Sequence, residues 1–301
     1  EVNALYRDSR GETGLQLGVQ AEQRGKAYRF HFIPDEPVLA FMPFKLNPEN
    51  YVEVRSLKNI SADLKLTGPE NAALWIHSNA DSTELAVEIN QIDLQQLSRF
   101  AAIPDMQGRV NVALRYVPSN VSFLIAADAN IDNLIFRGQP VGELLLNGVY
   151  LPLDNNRHRF DAHFYHNESE LATVSAFYRQ PQQKQAQGMI DGTMQFDRIP
   201  LNELNPFFGG ALDMQGVLRG RLTLESRDRG PIWNGYLQLD STSMYVRAVG
   251  TRFRFDDQEV DIKDSKLRLT KYGIYTTGGT AKTLRAAGID CTTVNRISDG
   301  Y

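Results

Sequence analysis

The sequence contains an internal repeat. A word with the pattern Ile-x-Leu-x-x-Leu-x-x-Phe begins at Ile92 and again at Ile199, and the word Asp-Met-Gln-Gly follows each copy, beginning at Asp105 and Asp213. The first words start 107 positions apart and the second words 108, so one inserted residue separates the two copies. Two ordered matches at nearly one offset predict a repeat architecture, in which one structural unit is used more than once.

Each Asp-Met-Gln-Gly word leads into a stretch in which apolar and polar residues alternate, as at 109–116 and 221–224. Period-two alternation places successive apolar side chains on one face of a strand. Further strands are predicted from the same pattern at 51–54, 63–66, 84–89, 121–127, 129–136, 143–150, 159–165, 189–196, 236–240, 252–255, 259–262 and 266–270. Short strands separated by turn residues predict an antiparallel meander.

The first repeated word predicts a short helix between two strands. Leu94, Leu97 and Phe100 lie at i, i+3 and i+6, which suits one or two helical turns, and Asp93 precedes them as an N-cap. Pro34, Pro37 and Pro43 are expected to interrupt strand pairing because proline donates no hydrogen bond.

These patterns predict an all-β chain: an elongated, curled antiparallel sheet that forms a groove, built from repeats, with one or two short helical turns. No long helix or second sheet is visible to cover the apolar face, and lipid acyl chains are natural occupants of such a floor. Alternation alone leaves open whether the aromatic positions are core or groove. The predicted floor residues are Leu64, Leu66, Val110, Val112, Leu114, Phe160, Phe164, Leu222, Leu224, Leu237, Leu239, Phe253, Phe255, Val260, Ile262, Leu267 and Leu269.

Charge and cysteine content limit the classes of function. The net charge of −4 and the pI near 5.8 give no positive field for a phosphate backbone, so nucleic acid is not expected as a partner. The single cysteine, Cys291, fits either a reducing cytosol or a cysteine-poor bacterial envelope. No apolar run reaches the roughly 18 residues of a membrane span. Without a start methionine or signal-type segment, the chain is expected to be a fragment of a longer protein.

No catalytic, metal or cofactor site is predicted. Asp161 and His163 share one face of a strand while His166 lies opposite, so a solvated polar face is expected for His158, His163 and His166 rather than a metal centre. The segment 256–259 is expected to be a hairpin turn. The segment 278–283 lacks the spacing of a phosphate-binding loop, and nothing nearby indicates activation of Cys291.

The stretch Phe-Phe-Gly-Gly-Ala-Leu-Asp-Met-Gln-Gly-Val-Leu-Arg-Gly-Arg-Leu-Thr-Leu at 207–224 resembles the TamB group of AsmA-like envelope proteins. The resemblance continues through Trp-Asn-Gly-Tyr-Leu-Gln-Leu at 233–239 and Gly-Thr-Arg-Phe-Arg-Phe-Asp-Asp at 250–257. It is strongest over 188–270 and weaker over 51–150.

This resemblance implies a non-enzymatic β groove that bridges the periplasm of a diderm bacterium and carries phospholipid between the inner and outer membranes. The implied partners are phospholipid, an outer-membrane barrel of the Omp85 class, and the inner membrane through an anchor outside this chain. It also implies an alternative function, a scaffold for outer-membrane protein assembly. The family has no catalytic residues to transfer.

The segment 276–301 differs from the rest and is expected to be separate from a groove fragment at 1–275. Its pattern predicts half of a βαβ unit: a Gly-rich turn, a helix that begins near Thr277 or Thr280 and ends at Gly288, and a strand at 291–294. This tail resembles the beginning of a methylglyoxal-synthase-like domain. Three explanations are open: a chimeric reading frame, a natural fusion cut off at Tyr301, or a hairpin-like tail of the groove.

Overall fold

The structure is a computed structural model. It describes residues 1–79, 81, 83–119, 122–154, 156–181, 188–227, 230–255, 258–268, 275–276, 278–286 and 292–293. The chain divides into two compact units, Glu1–Gly192 and Thr193–Tyr301.

The first unit consists almost entirely of strands. They are β1 Val2–Arg7, β2 Thr13–Arg24, β3 Ala27–Leu39, β4 Met42–Pro43, β5 Lys45–Leu46, β6 Tyr51–Ser56, β7 Asn59–Thr67, β8 Ala73–Ser78, β9 Leu85–Asp93, β10 Met106–Pro118, β11 Phe123–Phe136, β12 Gln139–Pro152, β13 Arg157–His166 and β14 Ser169–Arg179. A 3₁₀ turn, Pro69–Asn71, precedes β8, and helix α1, Leu94–Ala101, lies between β9 and β10.

Strand β15, Met189–Pro200, crosses the boundary between the units. The second unit continues with the 3₁₀ helix Leu201–Phe208, β16 Leu212–Arg227, β17 Gly230–Val246, the 3₁₀ turn Arg247–Val249, β18 Thr251–Phe255, β19 Gln258–Lys263 and β20 Lys266–Arg268. The tail contains β21 Tyr275–Thr276, helix α2 Gly278–Ala286 and β22 Thr292–Thr293.

Pairing in the first unit is an antiparallel meander. Each strand is hydrogen-bonded to the next in the order β1, β2, β3, β6, β7, β8, β9, β10, β11, β12, β13 and β14. The short β4 pairs with β3, and β5 with β7. The sheet is open, with few short helices, which confirms the predicted all-β class.

One predicted boundary was wrong. The stretches 121–127 and 129–136 form one continuous strand, β11, because Asp128 between them pairs in register with Ala113 of β10 and Asn147 of β12. Pro34 and Pro37 lie inside β3. The ladder between β2 and β3 does skip residues 34–37, so these prolines interrupt pairing as expected.

The repeat extends over a whole hairpin. In the first copy Met106, Val112 and Tyr116 of β10 stand opposite Phe136, Ala129 and Ile125 of β11. In the second copy the residues 108 positions later, Met214, Gly220 and Leu224 of β16, stand opposite Met244, Leu237 and Trp233 of β17. The two hairpins therefore share one strand register from end to end, which confirms the repeat predicted from two short words.

The glycine that ends each Asp-Met-Gln-Gly word lies opposite a bulge of the partner strand. The register shifts between Gln107 and Arg109 in β10, and between Gln215 and Val217 in β16. Gly108 has φ +141° and Gly216 has φ +99°, a region that favours glycine. Bulges bend a strand and increase its twist, so both hairpins are bent at the same point.

The Ile-x-Leu words form short helices of two kinds. The first is α-helical, and the carboxylate of Asp93 accepts a hydrogen bond from the Gln95 amide at 2.8 Å, as the N-cap prediction requires. The second is a 3₁₀ helix that contains Pro206. The ring of a proline inside an α-helix clashes with the carbonyl of residue i−4, which disfavours the α form at this word. Each word buries its isoleucine and first leucine at 6–7% exposure (Ile92, Leu94, Ile199 and Leu201).

Two apolar clusters form the core of the first unit. In the larger one, segment 40–46 packs on β7 and on Ile92, with Phe44 only 2% exposed. In the smaller one, Leu94 of α1 packs with Leu134 and Val141. Both clusters bury apolar area at the end of the sheet where α1 lies.

The tail forms a parallel two-stranded sheet. Tyr275 pairs with Thr292 and Thr276 with Thr293, with α2 between the two strands. Parallel pairing across a helix matches the predicted half βαβ unit, and the hairpin-like explanation of the tail is wrong for these residues. Gly288, Cys291, Val294 and the rest of 294–301 lie outside the described residues.

Candidate functional site: an apolar face of the sheet

Strand register places one unbroken row of apolar residues across eight neighbouring strands of the first unit. We call it the centre row. It runs from β7 to β14 through Leu64, Ile76, Val87, Leu114, Ala127, Gly148, Ala162 and Val174. Each member stands directly opposite the next, so their side chains share one face of the sheet.

A second row lies beside the centre row on the same face. It consists of Leu66, Leu74, Ile89, Val112, Ala129, Leu146, Phe164 and Ala172. Two residues along a strand separate neighbouring rows, about 6.6 Å. The two rows together form a continuous apolar surface that crosses the strands of this part of the sheet.

The opposite face is polar. The residues between the two rows are Lys65, Trp75, Glu88, Ala113, Asp128, Asn147, His163 and Thr173. Several are bonded to one another or to neighbours, for example Asn147 to Asp128 at 2.6 Å and His163 to Glu170 at 2.6 Å. The sheet therefore has one face that disfavours water and one that is hydrated.

The side chains of the apolar face are buried to different extents on different strands. At β7, Leu64 and Leu66 are each 3% exposed, because segment 40–46 packs on them. At β13, Phe160 and Phe164 of the same face are 41% and 38% exposed. Val112 and Leu114 of β10 are half-buried. Burial decreases unevenly across the sheet: Ile76 and Ile89 are still partly buried against the same cluster, and Ala162 of β13 is 0% exposed between its two exposed phenylalanine neighbours.

Small side chains occupy the middle of the centre row. Ala127, Gly148 and Ala162 are consecutive on β11, β12 and β13, and Ile125, Tyr150 and Phe160 are larger residues one row away. Gly148 has no backbone requirement for glycine, since a Cβ there would lie 3.6 Å from the carbonyl oxygen of Asp161. Larger residues therefore flank a stretch of small side chains, which we call the small-residue stretch, and Ala162 at its β13 end is 0% exposed.

Aromatic rings line the edge of the face at the hairpin tips. The rings of Tyr116, Phe123, Tyr150, His158 and Tyr178 contact one another in that order, with centroid distances of 5.2, 6.0, 5.8 and 5.8 Å. We call this the ring ladder. The Tyr150 hydroxyl lies 2.7 Å from Nδ1 of His158, and Tyr116 donates to the carbonyl of Leu57 at 2.7 Å. Such rings present an apolar body and a polar tip at a boundary between oil and water.

Ion pairs of Arg99 hold helix α1 at the other end of the apolar face. Nη2 of Arg99 lies 2.5 Å from Oδ2 of Asp8 and 2.6 Å from Oε2 of Glu12, and its guanidinium stacks on Phe41 at 3.7 Å. The hydrogen bond from Arg99 holds the pKa of Asp8 at about 2 and also lowers the pKa of Glu12. This contact joins the loop between β1 and β2 to a helix about ninety positions later in the chain.

In the second unit the predicted floor residues form shorter rows. Leu222, Gly235 and Ile262 stand opposite one another, as do Gly220, Leu237 and Val260. Leu224 is opposite Trp233, and Leu239 is opposite Leu218. Phe253 and Phe255 pair instead with Met244 and Thr242, beyond the bulge of β17, so they do not continue these rows. The Leu267 backbone pairs with Ile262, while its side chain and Leu269 lie outside the described residues.

The structure brings the predicted floor residues of the first unit together. Leu64 and Leu114 belong to the centre row, and Leu66, Val112 and Phe164 to the second row. Phe160 lies on the same face opposite Tyr150, and Val110 opposite Ile131. Sequence reasoning missed the alanines and Gly148, because small residues contribute little to an alternation pattern.

The prediction for the histidines was wrong in part. His163 is solvated, with a side chain 50% exposed. His166 is 4% exposed on the apolar face, where its Nε2 lies 2.5 Å from the carbonyl of Val141. His158 is half-buried in the ring ladder. Alternation puts His158 and His166 on the face of Phe160 and Phe164, where neighbouring strands shield them. Among the described residues, no group of three or more His, Cys, Asp or Glu side chains is placed to hold a metal ion.

No protein-family model, curated protein or solved structure matches this chain. Within the part of the chain that the structure describes, no helix has the length and apolarity needed to cross a membrane. The turn expected at 256–259 lies partly outside the described residues, as does most of the polar segment 179–188.

Proposed function

We propose that this chain is a non-enzymatic carrier of phospholipid, which holds acyl chains against the apolar face of its sheet. The observation that supports the proposal is the pair of apolar rows across β7–β14, which continue without a polar side chain and reach from Leu64, 3% exposed, to Phe164, 38% exposed. Exposed apolar surface of this extent marks a site for an apolar partner.

Acyl chains suit this face better than a folded protein does. A protein partner is positioned by discrete pockets and a few placed polar groups, whereas the two rows offer only aliphatic, aromatic and small residues. Each methylene removed from water contributes about 0.8 kcal/mol. Because neighbouring strands present similar surfaces, binding at successive positions has similar free energy, and a bound chain can slide across the strands.

The cellular setting is part of the same proposal. A carrier of this kind would bridge the periplasm of a diderm bacterium, with the inner membrane at one end and an outer-membrane barrel of the Omp85 class at the other. The resemblance of 188–270 to the TamB group supports this setting. No cofactor is required, because moving a lipid along a surface makes and breaks no covalent bond.

Two neighbouring alanines give a matched test of the apolar face. Ala127 belongs to the centre row, opposite Leu114 and Gly148, whereas Ala126 is on the polar face opposite Arg115 and Val149. Ala127→Asp places a charge on the apolar face, and Ala126→Asp places the same charge on the polar face beside Arg115. Mass spectrometry of lipids extracted from the purified proteins should show a loss of phospholipid for Ala127→Asp alone. Equal lipid content in both variants would count against the proposal.

The exposed edge of the sheet supports a second candidate, a scaffold that templates strands of outer-membrane proteins. All six residues of β1 are exposed, including Val2 at 74% and Leu5 at 60%, and among the described pairings β1 is bonded only to β2. Such an edge can accept another strand. Photo-crosslinkers at Leu5 should capture barrel strands in cells if this function operates, and capture none if it does not.

A further inference from the structure

The ring ladder ends beside a pair of arginines, Arg157 and Arg179. Arg157 begins β13 and Arg179 ends β14, and their Cα atoms are directly opposite in the register. Like charges directly opposite on neighbouring strands destabilise a sheet. Within the described part of the chain, neither guanidinium takes part in an ion pair or a side-chain hydrogen bond.

The next arginine along β13 shows the contrast. Nε of Arg159 lies 2.6 Å from Oδ2 of Asp161, so its charge is balanced on the polar face. Arg157 and Arg179 are at the strand ends, and their neighbours His158 and Tyr178 are the last two rings of the ladder. Two unbalanced cations therefore stand at the border between the apolar face and water.

A cavity lies at this border. It has a volume of 240 Å³ and is lined by Arg157, Phe177, Tyr178, Arg179, Met189 and Asp191. Tyr178 comes from the apolar face, whereas Phe177 and both arginines come from the polar face. Asp191 has an interaction of its own. Gly188 packs against the Tyr178 ring so closely that a Cβ would lie 2.5 Å from its hydroxyl, which fixes one wall.

We propose that Arg157 and Arg179 bind the phosphate group of a phospholipid whose acyl chains lie on the apolar face. Guanidinium groups are suited to phosphate because their planar donors match its oxygens. An anion between the two arginines also removes the repulsion that they otherwise exert on each other. The inference rests on the proposed function, which supplies the acyl chains, and it adds a preference for lipids that carry a phosphate.

Nucleic acid, the other common partner of arginines and aromatic rings, is disfavoured here. Stacking of bases needs open ring faces, whereas the ladder rings are packed on one another at 5.2–6.0 Å. The net charge of −4 also opposes a polyanion.

The test compares two short-chain lipids that differ only in the phosphate headgroup. Dihexanoyl phosphatidylglycerol and dihexanoylglycerol are titrated below their aggregation limits into the full chain, and inorganic phosphate is titrated alone. The variant is Arg157→Gln with Arg179→Gln. The control is Arg7→Gln with Arg115→Gln, which makes the same change in net charge at two exposed arginines elsewhere on the sheet.

We expect the wild type and the control to bind both lipids. The variant should bind dihexanoylglycerol normally and phosphatidylglycerol roughly tenfold or more weakly, the effect of losing charge-assisted hydrogen bonds. Unchanged binding of both lipids, or equal loss of both, would overturn the headgroup site while leaving the acyl surface intact. Tight binding of inorganic phosphate without preference for the lipid would show that the arginines bind free phosphate, and it would overturn the proposal of a lipid headgroup site. A wild type that binds neither lipid would overturn the proposed function itself.

Discussion

Gly108 and Gly216 occupy the same position in two hairpins whose strand pairings agree at an offset of 108. Each lies at the bulge that follows its Met-Gln pair, opposite a residue with positive φ on the partner strand, Asn133 in β11 or Ser241 in β17. A bulge changes which alternate positions face one side. In β17 the apolar residues are at odd positions before the bulge, Leu237 and Leu239, and at even positions after it, Met244 and Val246. The extra residue on the partner strand therefore keeps a single apolar face continuous past the bend.

Substitution of either bulge glycine by alanine should destabilise its hairpin. A Cβ would lie 2.8 Å from the carbonyl oxygen of Asp132 at Gly108, and 2.6 Å from the Thr242 Cα at Gly216, and both backbones have positive φ. The expected loss is about 1–3 kcal/mol for each, measured by urea unfolding. Gly148→Ala is the matched control, since its Cβ meets nothing closer than 3.6 Å. An equal effect at all three glycines would contradict this account.

The buried leucines of the two repeated words should matter equally. Leu94 is 7% exposed and Leu201 is 6% exposed, although one lies in an α-helix and the other in a 3₁₀ helix. Leu94→Ala and Leu201→Ala should each cost about 2–5 kcal/mol of unfolding free energy, the range for buried leucines. Phe207→Ala changes a side chain that is 40% exposed and should cost about 1 kcal/mol or less. A larger effect at Phe207 would show that the word packs differently.

The contact between Arg99 and the carboxylates of Asp8 and Glu12 should make stability depend on pH. Because the pKa of Asp8 is lowered to about 2, its contribution is complete above the unfolded pKa near 4 and is lost as the pH falls toward 2. Unfolding of the wild type and of Arg99→Gln, measured from pH 7 to pH 2, should differ most at neutral pH and converge below pH 4.

The matched control for this pH dependence is Arg24→Gln, which removes an exposed ion pair with Glu22. Exposed pairs contribute little to stability, so this variant should follow the wild type at every pH. A difference between wild type and Arg99→Gln that stays constant down to pH 2 would show that Arg99 acts through its stacking on Phe41 alone.

A large side chain in the small-residue stretch of the centre row should reduce lipid binding without unfolding the sheet. Gly148→Leu projects a side chain between Ala127 and Ala162, and the site accepts a Cβ with ordinary contacts. We expect near-normal unfolding and a clear drop in the phospholipid extracted from the purified protein, with Gly148→Ala close to wild type. Full lipid content in Gly148→Leu would indicate that acyl chains bind elsewhere.

Much of the fold was predicted from local patterns. Alternation at 109–116 and at 63–66 assigned the strands and their apolar faces, and the Asp93 cap with leucines at helical spacing assigned α1. These features depend on neighbouring residues in the chain, so the sequence carries them directly. Alternation missed Ala127, Gly148 and Ala162, whose place in the centre row depends on register with strands on either side.

The sequence by itself determined the all-β class, the repeat and the separation of apolar from polar side chains, because period-two patterning and two recurring words are local properties. Only the tertiary structure decided which apolar side chains are covered: Leu64 lies under segment 40–46, whereas Phe160 is open to solvent. It also brought Arg99 to Asp8 and placed Arg157 opposite Arg179. Cover and pairing depend on strand register and on segments distant in the chain, which alternation does not encode.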